Sequence, residues 1–143
     1  MVYRLPLHGE RRMKIVIPGE PRTKKNSQQI LVNKATGRPF ISPSKEYKAY
    51  LRHCAIYLPK LKKPIDEPVN IKCIYYRSTR RRVDLVNLIE CTADVLTAYG
   101  IISDDNRNVM YAVDGSRVFL DKEHPRCEII IEPITEDIER WKE

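Results

Sequence analysis

Asp84, Asn87, Glu90, Asp94, Asp104 and Asp105 crowd into one stretch, RRVDLVNLIECTADVLTAYGIISDDN. On a helix, Asn87, Glu90 and Asp94 are three and four residues apart, so two carboxylates and an amide share one side. Like charges four apart weaken a helix unless a cation or an arginine compensates, so the Glu90 and Asp94 pair needs a partner. Mg²⁺ or Mn²⁺ takes such hard oxygen ligands, with water and phosphate completing the shell. Two metals can serve the attacking and leaving oxygens of phosphodiester cleavage. Arg80, Arg81 and Arg82 directly precede Asp84, and Arg22, Lys24, Lys25 and Asn26 lie in an early loop, so both segments are candidates for holding DNA phosphates. Plainer roles stand beside these. Asp84 also suits an N-cap, Asp104 and Asp105 suit turn chemistry, and the lysines of 60–63 suit a solvated surface.

The rest of the chain must position these groups. Its 143 residues, 42% of them hydrophobic, are enough for one domain with a buried core. A formal charge of +7 and a pI of about 9.3 favour a polyanionic partner. Cys54, Cys73, Cys91 and Cys127 are far apart and lie in apolar patterns, which excludes a zinc module and makes them small buried hydrophobes. Free cysteines, and the lack of a signal-like or membrane-length apolar run, point to a soluble cytoplasmic protein without membrane contact.

Residues 13–18 predict a buried strand closed by Pro18-Gly19, and 28–41 predict a hairpin around a glycine-containing loop. Ser44 caps a helix over 45–58. The proline-rich connection 59–68 leads to a strand over 69–77. A second helix over 85–99 stops at Gly100. Its apolar arc is Leu85, Leu88, Ile89, Thr92, Val95 and Leu96. VMYAV, SRVFL and CEIIIEP predict three further strands. A short helix over 134–143 and a flexible arm over 1–12, with Tyr3, Arg4, Arg11 and Arg12, complete a single domain spanning 1–143. The class is α+β, a mixed sheet packed against two main helices. A chain turning back after Gly100 would bring Asp104 or Asp105 near the start of the second helix.

With these residues in view, the sequence resembles the RusA family of Holliday-junction resolvases, small endodeoxyribonucleases common in prophages. The resemblance runs from IVIPGEPRTKKNS through DLVNLIECTADVL and SDDN to SRVFL and CEIIIEP. The family motif D-L-D-N, a helix aspartate and a D-D pair fall on Asp84, Leu85 and Asn87, on Asp94, and on Asp104 and Asp105. The resemblance implies a homodimer that acts on four-way DNA junctions in recombination and repair, cutting by paired symmetric metal-dependent nicks that leave 5'-phosphates and 3'-hydroxyls. It also implies Asp84 and Asp105 as first ligands, with Asp94 and Asp104 behind them; Glu90 joins them as a candidate ligand of this chain's own. Two positions depart from the pattern: Val86 replaces the motif's second aspartate, and Glu90 stands where many members carry lysine. Glu90 then restores a carboxylate about one helical turn away. The alternative is a junction-binding protein that has lost cleavage.

Overall fold

The protein is described here by a computed structural model covering residues 2–7, 10–23 and 28–134. Its elements run β1 (Val2–Leu7), β2 (Glu10–Pro18), β3 (Gln28–Val32), β4 (Pro39–Pro43), α1 (Lys45–Tyr57), β5 (Val69–Arg77), α2 (Leu85–Ala98), β6 (Met110–Ala112), β7 (Arg117–Leu120) and β8 (Arg126–Pro133). The α+β class, with a mixed sheet and two helices, is as the sequence predicts. Two expectations differ or fall elsewhere. Residues 2–7, expected to lie in a flexible arm, pair antiparallel with β2 from Val2↔Ile15 to Leu7↔Glu10. The helix expected over 134–143 lies outside the described residues.

Among the described residues the main sheet runs β1-β2-β8-β5-β6, with β7 joining β5 further along the same edge. The pairs from β1 to β5 are antiparallel, whereas β6 and β7 run parallel to β5. Alternation along the strands sorts the two faces. Ile15–Ile129–Cys73 and Ile17–Cys127–Tyr75 form rows across β2, β8 and β5 on the buried face. Tyr47, Tyr50 and Cys54 of α1 and Leu88, Cys91, Val95 and Leu96 of α2 complete the same core. Each fully buried isoleucine there stabilises the fold by ~1.5–3 kcal/mol. The opposite face carries ion pairs, Lys14–Glu128 at 3.0 Å and Arg12–Glu132 at 2.6 Å. Such part-exposed pairs contribute ~0.2–1 kcal/mol each, so the helix-covered face holds the fold together.

One buried polar contact fixes α2 over the sheet. The hydroxyls of Tyr75 on β5 and Thr92 on α2 lie 2.6 Å apart. All four cysteines are free and buried, as the sequence predicts. Burial pushes the Cys73 thiol up to about 11 and Cys91 up to about 12. Among the described residues no helix is long and apolar enough to cross a membrane.

Candidate active site

The acids of the α2 region divide between the two ends of the helix. Asp84 occupies the N-cap and its backbone carbonyl accepts from Leu88, but its side chain caps no backbone amide. Its carboxylate instead accepts from Asn87 Nδ2 at 3.3 Å, at the surface. Ten residues on, about 15 Å along the axis, half-buried Asp94 accepts from the Tyr47 hydroxyl at 3.3 Å. Burial, and then the charge of Asp94, raise the Tyr47 pKa, so the phenol remains a donor.

Gly100 decides where the chain goes next. Its φ of 70° suits the residue after a helix, and the Ile101 amide donates back to Leu96 O at 2.9 Å. Ile101 and Ile102 are buried. Ile65 then clasps the returning chain: its amide donates to Ile101 O, and its carbonyl accepts from the Ser103 amide, both at 2.9 Å. The Ser103 hydroxyl adds a 2.6 Å bond to Asp66. The Asp104-Asp105 pair is thereby delivered to the second half of α2. The expectation that it returns toward the start of the helix is corrected, because the Gly100 turn and the Ile65 clasp keep it at the far end.

The two acids of that pair do different things. Asp104 accepts from the Asp105 amide at 2.8 Å and from Asn106 Nδ2 at 2.9 Å, so both its oxygens serve the turn. Those bonds hold its carboxyl below the usual range. Asp105 lines a cleft of about 520 Å³ together with Asp94, Tyr47, Lys48, Leu51 and Thr97. Partial desolvation, then Asp104 and Asp94, push its pKa up. Two carboxylates facing one cleft, with Lys48 also in its lining, fit the oxygen donor set of a small divalent cation, which takes one or two carboxylates and fills its shell with water and phosphate. A closed cage is absent: among the described residues no three His, Cys, Asp or Glu side chains gather as a metal site. Within one chain, then, Asp94 and Asp105 come together, while Asp84 and Asp105 do not. Glu90 is exposed, one turn before Asp94, and Val86 is exposed by 68% in the first turn.

Basic side chains run along the same helix. Arg80, Arg81 and Arg82 are exposed in the segment entering α2, where Arg77 Nη1 donates to Arg81 O at 3.0 Å. Arg22 is exposed as well, and its carbonyl accepts from Cys91 Sγ at 3.4 Å, which seats the early loop against the middle of α2. Lys24, Lys25 and Asn26 lie outside the described residues. Glu20, which the sequence reading missed, ties the two basic segments together. Its Oε1 accepts from the Ser78 amide at 2.6 Å and the Ser78 hydroxyl at 2.8 Å. Partial burial pushes its pKa up, but the Ser78 bonds and the charges of Arg77 and Arg22 outweigh that and leave the carboxyl ionised below its usual range. Tyr47, on the buried side of α1, brings its phenol to Asp94 because a buried phenol ordinarily seeks a polar partner.

Residues 18–132 match the family described as Endodeoxyribonuclease RusA. No curated protein matches the chain. The matched span holds both basic segments, α2, the cleft and the strands beneath them, and the chain belongs to the RusA family of endodeoxyribonucleases.

Proposed function

We propose that the protein is a homodimeric endodeoxyribonuclease of the cytoplasm that resolves four-way DNA junctions by paired, symmetric, Mg²⁺- or Mn²⁺-dependent nicks. The observation that carries this reading is the Asp94 and Asp105 pair, which faces one cleft at the second half of α2 with Lys48 also in its lining. A divalent cation bound there would acidify a water and offset charge on the scissile phosphate. Asp94 and Asp105 supply its oxygen ligands, with Glu90 on the next turn and Asp104 holding Asp105 in place. Tyr47 orients the Asp94 carboxylate through its hydroxyl. Arg22 and Arg80 to Arg82 hold phosphates on either side of the cut, assisted by Lys24, Lys25, Asn26 and Asn87. These contacts set affinity and salt dependence more than sequence choice.

Asp84 belongs to the family motif but lies about 15 Å along the helix from Asp94. A two-fold dimer accounts for it if Asp84 of the partner subunit faces the cleft, so that each site draws acids from both chains. The deciding experiment mixes inactive Asp84→Asn and Asp105→Asn proteins, re-equilibrates the subunits, and assays cleavage of a synthetic four-way junction in Mg²⁺. Shared sites predict recovered cleavage, because one site of each mixed dimer is then fully wild type. No recovery, with subunit exchange verified, would mean that the site is built within one chain. Val86 favours a second reading, since an exposed valine replaces a motif aspartate. Tight junction binding by the wild type with no nicks in Mg²⁺ or Mn²⁺ would select that non-cleaving binder.

A further inference from the structure

Residues 28–43 form a ribbon whose two strands, β3 and β4, pair only with each other among the described residues. A lone two-stranded hairpin is marginal in water, and this one turns its apolar side chains outward. Ile30 and Ile41 oppose each other across the ladder, exposed by 75% and 67%, and Val32, opposite Pro39, is exposed by 61%. Leu31 and Phe40 are exposed on the other face. Ile30, Ile41, Val32 and Pro39 thus form an exposed apolar stripe on one face of the ribbon, the kind of surface that marks an interaction site. The tip is firmly built. The Asn33 amide donates to Arg38 O at 2.9 Å, the Gly37 amide donates to Asn33 O at 2.7 Å, and Asn33 Oδ1 accepts from Ala35 at 2.9 Å. Exposed Lys34 and Arg38 sit there, and no acid occurs anywhere in 28–43.

The ends of the ribbon say what it meets. Its far end runs into Ser44, whose hydroxyl caps α1 by accepting from the Tyr47 amide at 3.2 Å. Tyr47 is the residue bonded to Asp94. On the near side, Arg22 is seated on Cys91 and close enough to Glu46 to lower its pKa, after that carboxylate's hydrogen bonds to its own amide and to Ser44. The chain thus leaves for the ribbon beside the middle of α2 and returns from it at the edge of the acidic cleft. Nucleic acid seated at the cleft would pass the base of the ribbon.

We infer that the β3–β4 ribbon is a wedge for DNA bases. The Ile30–Ile41 and Val32–Pro39 stripe lies against bases unstacked near the cut, and Lys34 and Arg38 hold the flanking phosphates. This rests on the DNA-cleaving reading for its ligand, though not for the chemistry of cleavage. Proteins that kink DNA insert Ile, Leu, Phe and Pro side chains between base steps, and a two-stranded ribbon is narrow enough for the major groove. A second copy of this chain fits less well, because it would set a tip with two cations and no acid against a protein of charge +7.

The test uses a four-way junction with 2-aminopurine beside the branch point, whose fluorescence rises when the base unstacks. It is read in EDTA for the wild type and for the double variant Ile30→Ser and Ile41→Ser, both positions being too exposed for the core to depend on them. The wild type should produce a several-fold rise, and the variant should lose most of it while binding the junction with comparable affinity and keeping the same sedimentation coefficient. No rise with the wild type, or an undiminished rise with the variant, would overturn the inference. A changed association state in the variant would also overturn it and make the stripe a protein interface. A parallel cleavage assay in Mg²⁺ separates the two readings. Fluorescence without nicks removes the nuclease and keeps the wedge, whereas nicks without fluorescence remove the wedge alone.

Discussion

The first turn of α2 and its second half carry the same side chain in different surroundings. Asp84 sits in water with an amide partner and arginines upstream, so its charge costs little. Asp105 faces Asp94 across a cleft, and its pKa is raised by partial desolvation and by both neighbouring acids. One end presents a solvated charge and the other holds repulsion that a cation would relieve. Acid content alone does not distinguish them; the path of the backbone after Gly100 does.

The strongest way to break this contrast is to remove the cleft acids singly. Asp94→Asn and Asp105→Asn should each lower cleavage by ~10²-fold or more at saturating Mg²⁺, the scale of losing one group aimed at reacting charge. Asp104→Asn should lower it far less, because its oxygens serve the turn. Equal losses in junction-nicking rates for Asp104→Asn and Asp105→Asn would erase the division between turn acid and cleft acid.

A smaller effect tests what positions the cleft. Gly100→Ala places a Cβ at positive φ with open space around it, so the cost is conformational, about 1–2 kcal/mol in a urea titration. Asn87→Ala, at the other end, should stay within roughly 0.5 kcal/mol, as surface changes usually do. If the two variants unfold at the same urea concentration, the Gly100 turn does not define the far end.

The smallest effect sharpens the electrostatic side. The folded protein raises the Asp105 pKa above its ordinary 3.8. The folded state therefore binds a proton that the unfolded state has released, and stability from this group falls as pH rises from the ordinary value through the folded one. Asp105→Asn removes that penalty. In EDTA at neutral pH it should melt slightly above the wild type, on the order of a degree, whereas Asp84→Asn should show no gain. A lower melting temperature for Asp105→Asn would contradict the stored repulsion.

Much of the fold was legible because burial writes itself into local patterns. Cys127, Ile129 and Ile131 alternate along β8, and Leu88, Val95 and Leu96 recur along α2. Gly100 marked the helix stop for the same local reason. What stayed hidden depends on partners distant in sequence. The parallel pairing of β6 and β7 with β5 hinges on a turn held by Asn70, whose amide bonds both the N–H and the C=O of Asp114. The place of Asp105 depends on Ile65, and the joining of the basic segments depends on Glu20, neither visible in any short window. β1 escaped notice because Tyr3, Arg4, Arg11 and Arg12 suggested a flexible arm, while its pairing with β2 needs only backbone.

The central strand β8 carries a consequence for how the protein is made. It pairs with β2 on one side and β5 on the other, with Met13 opposite Ile131, so the sheet closes across nearly the whole described chain. Such distant pairing is slow to form, and domains generally fold as units as synthesis proceeds. Until β8 has left the ribosome, β2 and β5 have no strand between them and the helices only part of their sheet to cover. Although every residue lining the acidic cleft is synthesised earlier, the sheet that backs α1 and α2 is complete only after translation has passed residue 133.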